Sequence, residues 1–455
     1  MKRTAFLLAA MVFVYAALTA WYQLALVSVK ATMLIVQTGD GVDHAGPSLF
    51  TLPHAIPQRL LLAVLGHLQY APSLRLTKMP TPWGSLSLEI DRRPGATWLR
   101  VHCRHCRAAV DWIARAPLID LDIEATCLAH GRHLDGKLRV GPVHADVAAI
   151  MTPGGIDAKF MARPVAVADL VKLFGGQIPE TRVARIDGSL AANGELTWPD
   201  GTLSLAPQIV GLKVKGLGMD RLAYGRFTAV VVGADGKWER REFGEGAPGW
   251  LPLKQMGRYL PRAVLAAEDM RFYRHPGYDL TEMRGTLSDF SLSEGPARGA
   301  STLTQQLAKN LFVGGERTLA RKLRELLYVA EMEQTLGKRR ILELYLNIVE
   351  WGDGVHGARA AARRYFTKPA ARLRPEQAAW LAAILHNPRR AWQTQYLAGA
   401  VDRTRADWVL QRMRGLTRKA RAAAERRRIA LTSPPRNNPP AVIAANLDNP
   451  GSPTP

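Results

Sequence analysis

The chain has 455 residues, 47% of them hydrophobic, and a formal net charge of +22 from 61 Lys and Arg against 39 Asp and Glu. That length and apolar fraction exclude a single small domain and support a substantial core. The positive balance calls for an anionic partner, and no nucleic-acid-binding motif accompanies it, which leaves a lipid surface or an anionic substrate.

Lys2-Arg3 precede an uncharged run from Thr4 to Val29, which ends at Lys30. A helix needs about 20 apolar residues to cross a bilayer core, so residues 1–30 are predicted to form a membrane anchor. Positive charge before the run places the N-terminus in the cytoplasm and the rest outside. The alternative is a cleaved signal peptide, but the run exceeds the roughly 7–15 residues of a signal core and no A-x-A site follows. The expectation is a single-pass protein of the inner (cytoplasmic) membrane. Its body would lie in the periplasm, with a basic surface facing anionic headgroups.

Residues 31–245 read as a β-rich accessory domain. Leu86–Ile90, Leu99–Cys103 and Ile119–Ile123 alternate apolar and polar residues, the pattern of half-buried strands. Asp135-Gly136, Asp187-Gly188 and Asp200-Gly201 carry hairpin-turn chemistry. Leu134–Leu138 and Ile186–Leu190 look alike, which hints at a duplicated unit. One short helix is predicted from Val165 to Phe174, stopped by Gly175-Gly176. In an oxidising compartment the three cysteines, Cys103, Cys106 and Cys127, permit one disulfide and leave one thiol over. Cys103-x-x-Cys106 with Cys127-x-x-His130 also has zinc-ribbon-like spacing, which that compartment disfavours.

Gly244 to Pro252 reads as a linker, after which the chain turns helical. Pro261 to Asp269 begins with Pro in a first turn. Thr318 caps a long amphipathic helix predicted to run to about Asn347, and Pro375 to Leu385 forms another. The tail, 431–455, is rich in Pro, Asn and Ser and is expected to be disordered.

The helical region holds polar side chains that are costly to bury. Glu268 ends an apolar helix, where partial desolvation favours a base. Ser301, Thr302, Thr304, Gln305, Gln306, Lys309 and Asn310 offer hydroxyls, amides and a cation, groups that suit sugar hydroxyls and a phosphate. On a helix, Thr302, Gln306, Lys309 and Asn310 share a face. A capping pattern is the simpler reading of Ser301 and Thr302. Arg321 and Glu325 are spaced i, i+4 with Lys322 between them. A solvated ion pair is the simpler reading there, although Arg before Glu is the weaker order on a helix.

Taken in order, these segments resemble the peptidoglycan glycosyltransferases of family 51, which polymerise lipid II into glycan strands. The resemblance covers roughly Trp250 to Leu416. It rests on Glu268-Asp269-x-x-Phe272-x-x-His275-x-Gly277, then Gly299 to Asn310, then Arg321-Lys322-x-x-Glu325. Ile341 to Asn347 with Gly352, Gly357 and Ala361-Ala362 follows, and Glu376 to Ala383 with Asn387-Pro388 completes it. Ala300 and His386 depart from the common residues, Gly and Pro.

The expected architecture is an α+β multidomain chain: an N-terminal transmembrane helix, a β-rich middle domain that departs from the minimal form of such enzymes, and, as the resemblance implies, a mostly α, lysozyme-like domain over 246–430. Glu268 would be the general base, and Glu325 would assist on the leaving-group side. Asp269, Phe272, His275, Ser301, Thr302, Gln305, Gln306, Lys309, Asn310, Arg321 and Lys322 would bind substrate. The implied reaction is an inverting transfer that forms β-1,4 bonds and releases undecaprenyl pyrophosphate. The implied partners are lipid II, the nascent glycan strand and the membrane, with cell-wall synthesis proteins as candidates for the β-domain and no nucleic acid. No cofactor is demanded. A divalent cation, Mg or Mn, is compatible with a pyrophosphate leaving group, although no ligand cluster requires it. Too little chain follows the fifth motif for a transpeptidase domain, so a monofunctional form is expected. The rival readings are a lytic muramidase with the same fold and a glutamate acid, and an inactive envelope scaffold acting through its β-domain.

Overall fold

Alternation of apolar and polar residues drives the first half of the chain into strands. The computed structural model describes residues 73–81, 84–108, 114, 116, 118–152, 155–198, 202–280, 290–291, 301–314 and 318–434. The expected anchor, Asp200-Gly201 and the tail from residue 435 lie outside the described residues. Among the described residues no helix is long and apolar enough to cross a membrane.

Nine strands follow one another as antiparallel neighbours in chain order: β1 Leu74–Thr81, β2 Gly84–Arg93, β3 Ala96–Ala108, β4 Leu118–His130, β5 His133–Val140, β6 Val143–Thr152, β7 Gly155–Ala166, β8 Arg185–Trp198 and β9 Thr202–Lys215. Register makes the sheet two-faced. One row of opposed residues runs Leu76, Leu88, Val101, Ala125, Leu138, Ala145, Ala162, Ala192, Pro207. Two residues along on the same face lie Ile90, Leu99, Cys127, Gly136, Val147, Phe160, Gly194 and Leu205. The opposite face is laced with ion pairs, among them Arg75–Glu89 at 2.9 Å, Arg139–Asp122 at 2.9 Å, Arg163–Asp146 at 2.9 Å and Lys159–Glu195 at 3.0 Å.

Two of the expected hairpin turns are strand interior. Asp135-Gly136 lies in the middle of β5, where a Cβ on Gly136 would stand 2.5 Å from the Thr126 carbonyl oxygen. Asp187-Gly188 lies in β8 at a bulge, with Gly188 at φ +111° against Leu212. In both places glycine serves close strand approach or a bulge rather than a turn. The chain reverses instead at Gly131-Arg132 and Gly141-Pro142.

Bulges between Leu76 and Met79, Cys103 and Cys106, Ala162 and Val165, and Asp187 and Ser189 fall towards the same end of the strands. Each bends its strand at that end. There Cys103, Cys106 and Leu121 pack with Leu86, Ile123 and Leu173. Cys103 and Cys106 are disulfide-bonded and Cys127 is free. Helix α1, Val167–Lys172, closes this end. It starts two residues later than expected because Val165 and Ala166 still pair with β8.

Strands β10 Arg226–Val232 and β11 Trp238–Gly244 form a separate ribbon. Ala229, Val231 and Phe243 from this ribbon share a core with Met219, Leu222, Trp250 and the helices. By packing, then, the chain from about 219 onward goes with the helices, whereas the sequence reading groups it with the sheet up to 245. The expected linker is equally built in: Ala247, Trp250 and Leu251 are buried, and the Leu251 amide donates to Asn347 Oδ1 at 2.9 Å.

The helices are α2 Tyr259–Glu268, α3 Leu303–Ala308, α4 Leu319–Thr335, α5 Gly337–Ile348, α6 Ala358–Phe366, α7 Pro375–Ile384, α8 Pro388–Ala391, α9 Thr404–Arg412 and α10 Arg418–Arg426. Strand β12, Phe290–Ser291, pairs with β9 and carries the sheet into this half. All ten residues of α7 are buried, Glu376 and Gln377 of its first turn included, so it is the central helix. Thr318 caps α4 by accepting from the Arg321 amide. The single helix expected to reach Asn347 is instead two, divided at Leu336 before Gly337 takes a left-handed φ of +70°. The Thr432 amide still donates to Tyr365 O, so ordered packing extends past the expected boundary at 430.

Helix α4 joins the halves. Ala320, Leu323, Leu327 and Ala330 pack with Val167, Val171, Phe174, Ile178 and Val214. Arg324 meets buried Glu180 at 2.8 Å, and Glu331 accepts from the amides of Leu217 and Met219. Burial, reinforced by Glu180, pushes the Tyr328 hydroxyl up to about 12.

Candidate active site

Glu268 is the last residue of α2, and its side chain is 12% exposed. Its Oε2 accepts from Gln306 Nε2 at 3.1 Å. Its Oε1 is buried without a hydrogen-bond donor, although the Arg405 guanidinium stands 3.5 Å away. Gln306 directs its NH2 at a group that only accepts, so its carbonyl oxygen is the end that takes the Tyr345 hydroxyl, at 2.8 Å. Burial, followed by the charges of Glu268 and Asp269, raises the Tyr345 pKa well above its usual range and keeps it a donor.

The third motif forms a buried charge cluster. Glu325 is 1% exposed, and its two oxygens take Arg321 and Lys322, each at 2.7 Å. This is no solvated pair: a carboxylate so buried is held by its two cations. Lys322 also donates to Ser301 Oγ at 3.1 Å, which ties the second motif to the third. Lys309 lies in the π turn Lys309–Val313 that continues α3. Its residue surface is exposed. Desolvation lowers its pKa, opposed by Glu325 and Glu268 and assisted by Arg321 and Lys322. Asn310 follows it, exposed. The face predicted for Thr302, Gln306, Lys309 and Asn310 is therefore split, with Thr302 turned inward as the cap and Lys309 and Asn310 outward.

Five expected substrate contacts are framework. Asp269, Phe272 and His275 are 8%, 1% and 7% exposed. His275 Nδ1 accepts from the Gly277 amide, so its Nε2 carries the proton and donates to Asp269 Oδ1 at 2.9 Å. Asp269 Oδ2 takes the Leu303 amide at the start of α3. Thr302 and Gln305 form a reciprocal capping box on that helix, and Thr302 Oγ1 also donates to the Gly277 carbonyl. These groups brace the wall that carries Glu268 and Gln306; they do not line it. The pattern Thr302-x-x-Gln305 announces the box in the sequence.

Two neighbours went unnamed as site residues in the sequence reading. Tyr345 is hidden in an apolar run, and Arg405 lies 137 positions beyond Glu268 in a basic stretch with no distinguishing signal. Among the described residues no group of three or more His, Cys, Asp or Glu stands together to hold a metal. Both Glu325 oxygens are engaged by Arg321 and Lys322.

A family model described as Transglycosylase matches residues 239–414. The chain is 46% identical over 183 residues to the biosynthetic peptidoglycan transglycosylase of Rhodospirillum centenum, covering 39% of this chain and 78% of that protein. It is 43% identical over 180 residues to the protein of the same name from Salmonella arizonae, 39% of this chain and 74% of the other. Against that of Nitrosomonas eutropha it is 50% identical over 140 residues, 31% of this chain and only 57% of that relative.

Proposed function

The chain belongs to the transglycosylase family, and from that premise we propose that it polymerises peptidoglycan glycan strands from lipid II. The observation that carries this is the pairing of one underdonated carboxylate, Glu268, with a separate wall of cations, Lys309, Arg321 and Lys322.

Glu268 Oε1 takes the proton of the acceptor's 4-hydroxyl. The freed oxygen attacks the anomeric carbon of the donor as the bond from that carbon to the pyrophosphate oxygen breaks. Attack opposite the leaving group inverts the centre and gives a β-1,4 bond, and undecaprenyl pyrophosphate departs with the bonding pair. Its charge is met by Lys309, Arg321 and Lys322, fixed in advance and so effective in the transition state. Glu325, with both oxygens on Arg321 and Lys322, is a positioning residue that aims those cations. Gln306 and Tyr345 orient Glu268. Ser301 and Asn310 are left to meet the sugars. These cations are the chain's own. A lytic muramidase has no use for this cation set.

Residues 1–30 anchor the protein in the inner membrane with the site in the periplasm, on the strength of the uncharged run from Thr4 to Val29. The test is to incubate detergent-solubilised full-length protein with labelled lipid II. Long lysozyme-sensitive strands support the reading. Cleavage of preformed strands instead would point to lysis, and no turnover by folded protein would point to a scaffold.

A further inference from the structure

A cavity of about 520 Å³ opens where the β10–β11 ribbon, α6 and the segment at Thr432 meet. Arg241 of β11, Arg363 and Arg364 of α6, Thr432 and Ser433 line it. Among the described residues, none of the bonds and ion pairs of Glu268 and Glu325 reaches this lining. The walls are fixed. His356, also in the lining, is bonded through its two ring nitrogens to the Ile348 and Val232 carbonyls, each at 2.9 Å, which ties the end of α5 to the ribbon. The Thr432 amide donates to Tyr365 O at 2.8 Å, and its hydroxyl meets that of Thr367 at 2.8 Å, so this segment is strapped to α6. A site built before its ligand arrives loses little to ordering.

The lining is cationic. Arg241 shares its charge with Glu239. Arg363 and Arg364 are exposed, and among the described residues no carboxylate forms an ion pair with either. The field of Arg364 reaches the Asp353 carboxyl, but burial holds that carboxyl above its usual range, which blunts its opposition to an anion. The last turn of α6 favours cations whatever they face. Arg241 comes from the ribbon and owes nothing to that dipole.

We infer that this cavity binds a phosphate that carries a further group, either a diphosphate or the phosphate of a lipid headgroup. Guanidinium forks match phosphate oxygens in pairs, and Thr432 and Ser433 add hydroxyls beside them. A carboxylate has only two oxygens to offer three guanidiniums. A bare phosphate would fill a small part of a volume that lies in the range of small-ligand sites. The inference rests on the cavity and its lining, not on Glu268 or on turnover.

Phenylglyoxal modifies guanidiniums, and a bound anion shields them. The test maps its modification of full-length protein in a maltoside detergent by peptide mass spectrometry. The probes are inorganic pyrophosphate and dihexanoyl phosphatidylglycerol, each compared with potassium chloride at equal ionic strength. At about ten times its dissociation constant, a bound probe should slow modification of Arg363 and Arg364 about tenfold, because only the unoccupied fraction reacts. Arg185 of the sheet, whose side chain is 81% exposed, should react as before. Shielding by pyrophosphate assigns the site to a free diphosphate, and shielding by the lipid alone assigns it to a headgroup. Arg363→Gln should raise the concentration that half-shields Arg241 by about tenfold or more, as loss of a charge-assisted contact does. Ala360→Trp, at an exposed lining position of α6, fills the cavity without removing charge and should do the same, which covers the case that Arg363→Gln melts early. Glu268→Gln should leave the shielding unchanged, which separates this inference from the catalytic reading. Shielding that extends equally to Arg185 would overturn it, and so would no shielding of Arg363 and Arg364 by either probe.

Discussion

Gln306 donates to Glu268 Oε2 at 3.1 Å and leaves Oε1 of the same carboxylate without a hydrogen-bond donor. One oxygen is thus held and the other is free to take a proton, the division of labour that a positioned base needs. Gln306→Leu should lower polymerisation about 100-fold, because a carboxylate displaced by about 1 Å loses that much. It should also strand the Tyr345 hydroxyl, at a cost of roughly 1–3 kcal/mol. Turnover of labelled lipid II and thermal melting read the two effects separately.

Lys309 gives the site a pH dependence whose sign is fixed. Desolvation of its ammonium by neighbouring protein lowers its pKa, so it loses its charge at lower pH than a free lysine does. Pyrophosphate binds the charged form, so affinity should fall as pH rises through that depressed value. Lys309→Arg keeps its charge at all working pH and should move the alkaline limb upward. Binding of inorganic pyrophosphate across the alkaline range, wild type beside variant, checks this.

The pair between Arg324 and Glu180 fastens the sheet to α4. Arg324→Met leaves Glu180 buried without its cation, so it should destabilise the docked state by roughly 3 kcal/mol. Adding Glu180→Leu should restore most of that loss. Calorimetry, with limited proteolysis near 215–219, would show whether the halves separate.

Thr302→Val removes the cap and the bond to the Gly277 carbonyl. The expected loss is about 1–2 kcal/mol, seen as a lower melting temperature. Activity should fall as well, since the box fixes the start of the helix that carries Gln306.

The alternation of β2, β3 and β4 and the five motifs were legible in the sequence because each is local. What escaped was decided across distance. Asp135-Gly136 has turn chemistry, but Thr126 on the neighbouring strand makes it a close-approach site. Asp269 and His275 look like contact residues until their mutual bond and burial are seen. The ribbon of β10 and β11 reads as part of the sheet because local pattern does not say which core a strand joins. Arg405 reaches Glu268 only through the packing of α9 on the rest.

The most direct measurement compares wild type with Glu268→Gln in strand synthesis from labelled lipid II, with pyrophosphate binding measured on both. The variant should bind pyrophosphate like the wild type and polymerise about 100- to 10,000-fold more slowly, the range for loss of a general base. Polymerisation by Glu268→Gln within a few-fold of wild type would contradict the account, because the proton would then leave by another route.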